Sequence, residues 1–300
     1  MDCLPDTLCL AWGQAQMQAG AYSEALARFT CAFESDPESE ATHVGRLEAS
    51  LLAGDYLTAY GEAFLLGDGH PTALDNAIAA QSDILTTRPD DMQALRLRAF
   101  LNLFAGRGSA ALADAQAALE RQPDDVLAHV ISAGAYAMMG DADASVTAFE
   151  AAISLAPNNA QVYGLMAAVQ FLVFDVEGMA NNSARAIELG PELVHPYRLQ
   201  GVTQLIMGNP DSAMASASQA IELDPTYYGY YILRANAKLA SGDALSALAD
   251  LNQAIELNPC TSIGHGQRAN VLLAQGDTRS AAVDFETAIR VGTVEVVGLT

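Results

Sequence analysis

Prolines recur in this 300-residue chain at a fixed interval of 34 residues, at Pro123, Pro157, Pro191, Pro225 and Pro259. Glycines keep the same step at Gly106, Gly140, Gly208, Gly242 and Gly276, and Phe174 stands where that series would place one more. A period of this length means a stack of supersecondary units, each burying its apolar face against the next. Because each unit touches only its neighbours, chain length sets no domain count. The alanines follow the same phase. Ala111, Ala213, Ala247 and Ala281 hold one register, and Ala118, Ala152, Ala186, Ala220, Ala254 and Ala288 hold a second. Small residues in fixed register let helices approach closely. Each unit therefore reads as a helix of about 14 residues, a Gly-Asp turn, a second helix and a proline stop.

Stretches such as Tyr231-Ile232-Leu233-Arg234-Ala235-Asn236-Ala237-Lys238-Leu239-Ala240-Ser241-Gly242-Asp243, followed by Ala254-Ile255-Glu256-Leu257-Asn258-Pro259, resemble the tetratricopeptide-repeat (TPR) family. The resemblance covers nearly the whole chain and implies an all-α, right-handed superhelical solenoid. Repeats start at Asp6, Glu40, Met92, Val126, Ala160, Val194, Tyr228 and Ser262. Between the second and third the phase breaks, because Pro71 and Pro89 are only 18 residues apart. That spacing predicts one extra helix over Thr72 to Thr87, which reverses the alternation of inner and outer helices. A bend is expected near residues 67–91, and the helix over Asp55 to Leu66 is left able to pair with either neighbour. The expected organisation is a two-repeat segment (1–71), the inserted helix and bend (72–91), a regular six-repeat array (92–291) and a tail (292–300). Val294 to Val297 reads as a strand.

Thirty-six acidic residues against fourteen basic ones give a net charge of −22. A surface this negative repels phosphate backbones and anionic lipid, which argues against nucleic acid and membrane partners. No apolar run is long enough to span a bilayer and no basic, apolar leader opens the chain, so a cytoplasmic location is expected. Cys3, Cys9, Cys31 and Cys260 lack metal-site or framework spacing and read as reduced thiols packed in helices.

Position 7 is arginine in four repeats (Arg46, Arg98, Arg234, Arg268), and each of those repeats carries an acid 16 residues on (Glu62, Asp114, Asp250, Asp284). The other four carry Arg28, Ala148, Asn182 and Ser216 there. The pattern predicts an ion pair between the two helices of each arginine-bearing unit, since a buried arginine needs a carboxylate. His43, His129 and His265 share position 4 with tyrosines and read as bulky packing residues, not metal ligands. Phosphate-binding, nucleophile-elbow, zinc-protease and calcium-loop motifs are absent, so no catalysis and no cofactor is expected.

The resemblance implies a concave groove lined by the first helix of each repeat. Its candidate partner-binding residues are Arg96, Phe100, Phe104, Met138, Phe171, Leu172, Arg198, Val202, Leu205, Ile206, Asn236 and Asn270. This surface is apolar from the third repeat to the sixth and then polar, which suits an amphipathic helix or an extended apolar segment. Asn236 and Asn270 make a two-rung ladder for a peptide backbone. The carboxylate clamp of some family members is not assembled, because Ile232 precedes Asn236 and Val202 follows Arg198. Of the tyrosines at 227, 228, 230 and 231, register makes Tyr231 the core residue. The expected function is a scaffold or adaptor holding a protein or peptide, of basic or amphipathic character, in its groove. The alternatives are an assembly factor shielding a hydrophobic subunit and a regulatory or targeting subunit of an enzyme. An uncapped C-terminal end would allow homo-oligomers.

Overall fold

The computed structural model describes residues 6–35, 39–69, 71–259 and 261–297. Seventeen α-helices, and no strand, occur among the described residues. They are α1 (Asp6–Gln18), α2 (Tyr22–Ser35), α3 (Glu40–Ala53), α4 (Tyr56–Gly69), α5 (Pro71–Thr87), α6 (Met92–Phe104), α7 (Gly108–Arg121), α8 (Val126–Met138), α9 (Ala142–Leu155) and α10 (Ala160–Leu172). They continue with α11 (Val176–Leu189), α12 (Val194–Ile206), α13 (Pro210–Leu223), α14 (Tyr228–Ala240), α15 (Ala244–Leu257), α16 (Ser262–Ala274) and α17 (Thr278–Val297). Within each of two compact parts of the chain, neighbouring helices pack on one another, as in a repeat array. The chain forms two compact units, residues 1–175 and 176–300. The extra helix implied by the phase break is α5, which lies within the first unit.

Helix boundaries follow from the repeated side chains. Asp91, Asp125, Asp141 and Asp243 each stand just before a helix and accept hydrogen bonds from its first free backbone N–H groups. The turn within a repeat closes on a left-handed residue, with φ between +73° and +86° at Gly106, Gly140, Gly208, Gly242 and Gly276. Phe174 adopts the same conformation with φ +57° although it carries a side chain that is 80% exposed. A left-handed non-glycine residue costs about 1–2 kcal/mol. Phe174→Gly is therefore expected to stabilise the protein by about 0.5–1 kcal/mol after the added freedom of the unfolded chain is discounted. A lower thermal midpoint for the variant would show that ring contacts outweigh the strain.

One tether recurs where a repeat meets the next. Tyr163, Tyr197 and Tyr231 donate their hydroxyls to the carbonyls of Pro157, Pro191 and Pro225 at 3.1–3.2 Å. His129 and His265 reach Pro123 and Pro259 through Nε2 in the same way, at 2.9 and 3.1 Å. The proline ends one helix, and its carbonyl, left without a helical donor, receives the tip of position 4. The position-4 histidines are thus hydrogen-bonding groups as well as packing ones.

All four expected ion pairs form. Arg98, Arg234 and Arg268 each grip their aspartate through Nε and Nη2 at 2.7–2.9 Å, and Arg46 meets Glu62 at 2.9 Å. His43 Nδ1 adds a second contact to Glu62 at 2.6 Å, His265 Nδ1 to Asp284 at 2.9 Å, and Lys238 to Asp250 at 2.7 Å. Burial opposes charge on Asp284, but its bonds from Arg268 and His265 outweigh that and hold its carboxyl below the usual range. The same two positions pair by other chemistry elsewhere. Arg28 lies 4.4 Å over the Trp12 ring, and Ser216 donates to Gln200 at 2.9 Å.

Two expectations are corrected. The strand read at Val294 to Val297 is helix, since α17 runs on to Val297; once a helix is nucleated, adding residues to its end is easier than starting a strand with no neighbour to pair with. Among the tyrosines it is Tyr230, not Tyr231, that is fully buried, with its ring 4.7 Å from that of Tyr227. Tyr231 is half-buried, with its hydroxyl on the Pro225 carbonyl.

Candidate interaction surface

In the first unit, the helices expected to line a groove enclose another helix of the same chain. α4 packs against α6 and α10, and α8 bridges α6 to α10. Leu57, Ala59, Tyr60, Ala63 and Leu66 of α4 are all buried, residues that span about half of its circumference. The Tyr60 ring lies 5.6 Å from Phe104, which lies 4.6 Å from Phe100. Leu57 fills the space over Gly164, where an added Cβ would come within 2.7 Å of its side chain. Gln161 of α10 accepts from the Leu57 backbone N–H at 3.0 Å and donates to Asp55 at 3.1 Å, which seats the first turn of α4. Burial, together with Asp125 and partly offset by Arg96, pushes the Tyr56 hydroxyl above its ordinary value.

The candidate residues of this unit are placed accordingly. Phe100 is fully buried and Phe104 partly so, both in the interior that α4 completes. Arg96 is drawn to Asp125 at 2.5 Å and Gln122 at 2.9 Å, tying α6 to the start of α8. Met138 is half-buried against α7 at Gly108, and Phe171 and Leu172 are half-buried at the end of α10.

The second unit keeps the equivalent surface open. Val202, Asn236 and Asn270 share one position on α12, α14 and α16, and Leu205, Leu239 and Leu273 share another, three residues on. Asn270 and Leu273 are exposed and the rest half-buried; Ile206 is about half exposed. Arg198 is half-buried at the start of α12. Leu239, Gln267, Asn270 and Val271 border a cleft of about 290 Å³. Gln267 Oε1 is itself out of solvent and meets no donor among the described residues. Exposed asparagine beside exposed leucine suits a ligand with both backbone hydrogen-bonding groups and apolar side chains.

A family model described as tetratricopeptide repeat matches residues 101–160, and a second with the same description matches residues 197–227. Both fall on the helix pairs with the 34-residue phase. The chain carries tetratricopeptide repeats. A search of curated proteins finds no match by sequence. Among solved structures, this chain is similar to a chain of the APC/C hetero-tetramer Cut9–Hcn1, with a TM-score of 0.58 and 15% identity over 95% of its length. It spans about half of that chain, 52%. It is similar also to the monomeric mutant of IFIT1 solved with Gppp-AAAA (TM-score 0.60, 14% identity, covering 96% of this chain and 70% of that one). A third is a TPR protein from Parabacteroides merdae ATCC 43184 (TM-score 0.51, 14% identity, covering 95% and 98%). At these identities the likeness is one of fold. TPR units present surfaces for binding proteins and peptides. Among the described residues no helix is long and apolar enough to cross a membrane, and no cluster of three or more potential metal ligands occurs.

Proposed function

We propose that this TPR protein is a non-enzymatic, cytoplasmic scaffold whose second unit holds an extended peptide segment of a protein partner. The observation that carries this reading is the open pair of rows in residues 176–300, apolar at Leu205, Leu239 and Leu273 and amide at Asn236 and Asn270. The matching face of the first unit is occupied by α4. Leucines one repeat apart give pockets for apolar side chains, and asparagine amides bond a peptide backbone whatever its sequence. A chain of net charge −22 favours neutral or basic segments.

Panning a phage-displayed random peptide library against the wild type should enrich peptides with alternating apolar residues. Their affinity should fall about tenfold for Asn270→Ala and be lost for Leu273→Glu, which changes an exposed residue and leaves the fold intact. Enriched peptides that bind Leu273→Glu as well as wild type would remove the second unit from consideration.

A further inference from the structure

The sulfurs of Cys9 and Cys31 face each other across α1 and α2 at 2.6 Å. Nothing in the repeat pattern requires this. At position 4, where Tyr163, Tyr197, Tyr231, His129 and His265 point to a proline carbonyl, the first repeat sets a thiol against α2 instead. The approach is held by packing around it. Phe29 of α2 wedges between Gly13 of α1 and Gly45 of α3, where an added Cβ on either glycine would come within 2.7 Å of the ring. Ala25, Phe29 and Ala49 form a buried cluster with Leu10, Met17 and Leu26 against it, and Arg28 covers Trp12. These contacts fix both the spacing and the register of α1 on α2, so the two thiols meet without rearrangement of the backbone.

We propose that Cys9 and Cys31 are a site of reversible disulfide formation, closed by exchange with a small-molecule disulfide. Exposure sets the order of events. Cys31 is half-buried and meets the oxidant first, whereas Cys9 is fully buried. The Cys31 thiol loses its proton, and the thiolate attacks one sulfur of the oxidant, forming a mixed disulfide and releasing one thiolate. Cys9 then loses its proton and attacks Cys31 Sγ, displacing the second thiolate. The two protons lost by the cysteines end on the two released thiols, and the two electrons lost by the cysteine sulfurs reduce the oxidant. The bond closes a 22-residue interval and staples α1 to α2. Opening of α1 from the array then no longer proceeds independently of α2, because the crosslink removes chain entropy from the opened state.

The test uses the full chain and oxidised glutathione as the probe. After incubation, alkylation and proteolysis without reductant, mass spectrometry should find the Cys9 and Cys31 peptides joined, lighter by two hydrogens than their sum. Amide exchange in α1 should slow on the order of a hundredfold relative to the reduced protein and recover with dithiothreitol. In Cys9→Ser, Cys31 should instead retain glutathione as a stable mixed disulfide. The proposal is overturned if the wild type also keeps glutathione on Cys31, if Cys31 pairs with Cys3 or Cys260, or if neither cysteine reacts.

Discussion

Tyr60→Ala should lower the stability of the first unit by about 3–5 kcal/mol, the range for removing a fully buried large aromatic from a packed core. The size of the effect follows from where the ring sits. Tyr60 reaches from α4 into the space beside Phe104, which in turn packs at a tilt on Phe100, so its loss opens a cavity at the junction of α4 with α6. Gly164→Leu approaches the same interface from α10. Its added carbons meet Leu57, itself almost fully buried, and overpacking of this kind costs about 1–3 kcal/mol. The measurement is amide exchange resolved by helix. α6 and α10 should lose protection in both variants while α14 and α15 keep theirs. Unchanged protection in α6 and α10 would mean that α4 is not part of their core, and the face of the first unit would again be available to a partner.

Much of this arrangement was legible in the sequence, and the parts that were not share one cause. Periodicity reports which positions are equivalent, so the repeat phase, α5 and the pairs from Arg46, Arg98, Arg234 and Arg268 could be read directly from spacing. It says nothing of what a non-repeating element does. The extra helix was foreseen as a break in alternation, yet not that it would send α4 onto α6 and α10. A signal was present in α4 itself, whose apolar residues lie all round the helix, the mark of one buried on every side. The apolar face of Phe100 and Phe104 was its complement and not a vacant groove. Likewise Trp12 with Arg28 and Gln200 with Ser216 fill the positions of an ion pair with unlike chemistry, which a search for repeated charge passes over. The Asn236 and Asn270 register was legible, but the unmet acceptor of Gln267 depends on three-dimensional burial that no spacing records.

The ion pairs make the second large prediction, because equal spacing does not make them equal in consequence. Asp114 receives both of its hydrogen bonds from Arg98, at 2.7 and 2.8 Å, and its side chain is 8% exposed. Arg98→Ala leaves that carboxylate in the interior with neither bond. Stranding a buried charge costs about 3–5 kcal/mol, and with Arg98 itself about a quarter exposed some solvent screening applies, so a loss of about 3 kcal/mol is expected. Asp250 is better provided for. Lys238 contacts it at 2.7 Å and remains when Arg234 is removed, so Arg234→Ala should cost about 1–2 kcal/mol. The paired replacement Arg98→Met with Asp114→Leu removes both charges at once and should recover most of the loss, since well-packed apolar side chains substitute for a buried pair at little cost. Denaturant unfolding of the single and double variants, with the first-unit transition followed by exchange in α6 and α7, gives the coupling directly. Equal losses for Arg98→Ala and Arg234→Ala would show that the second cation at Asp250 contributes nothing. A double variant as unstable as Arg98→Ala would show that packing of the arginine stem, not the stranded carboxylate, sets the cost.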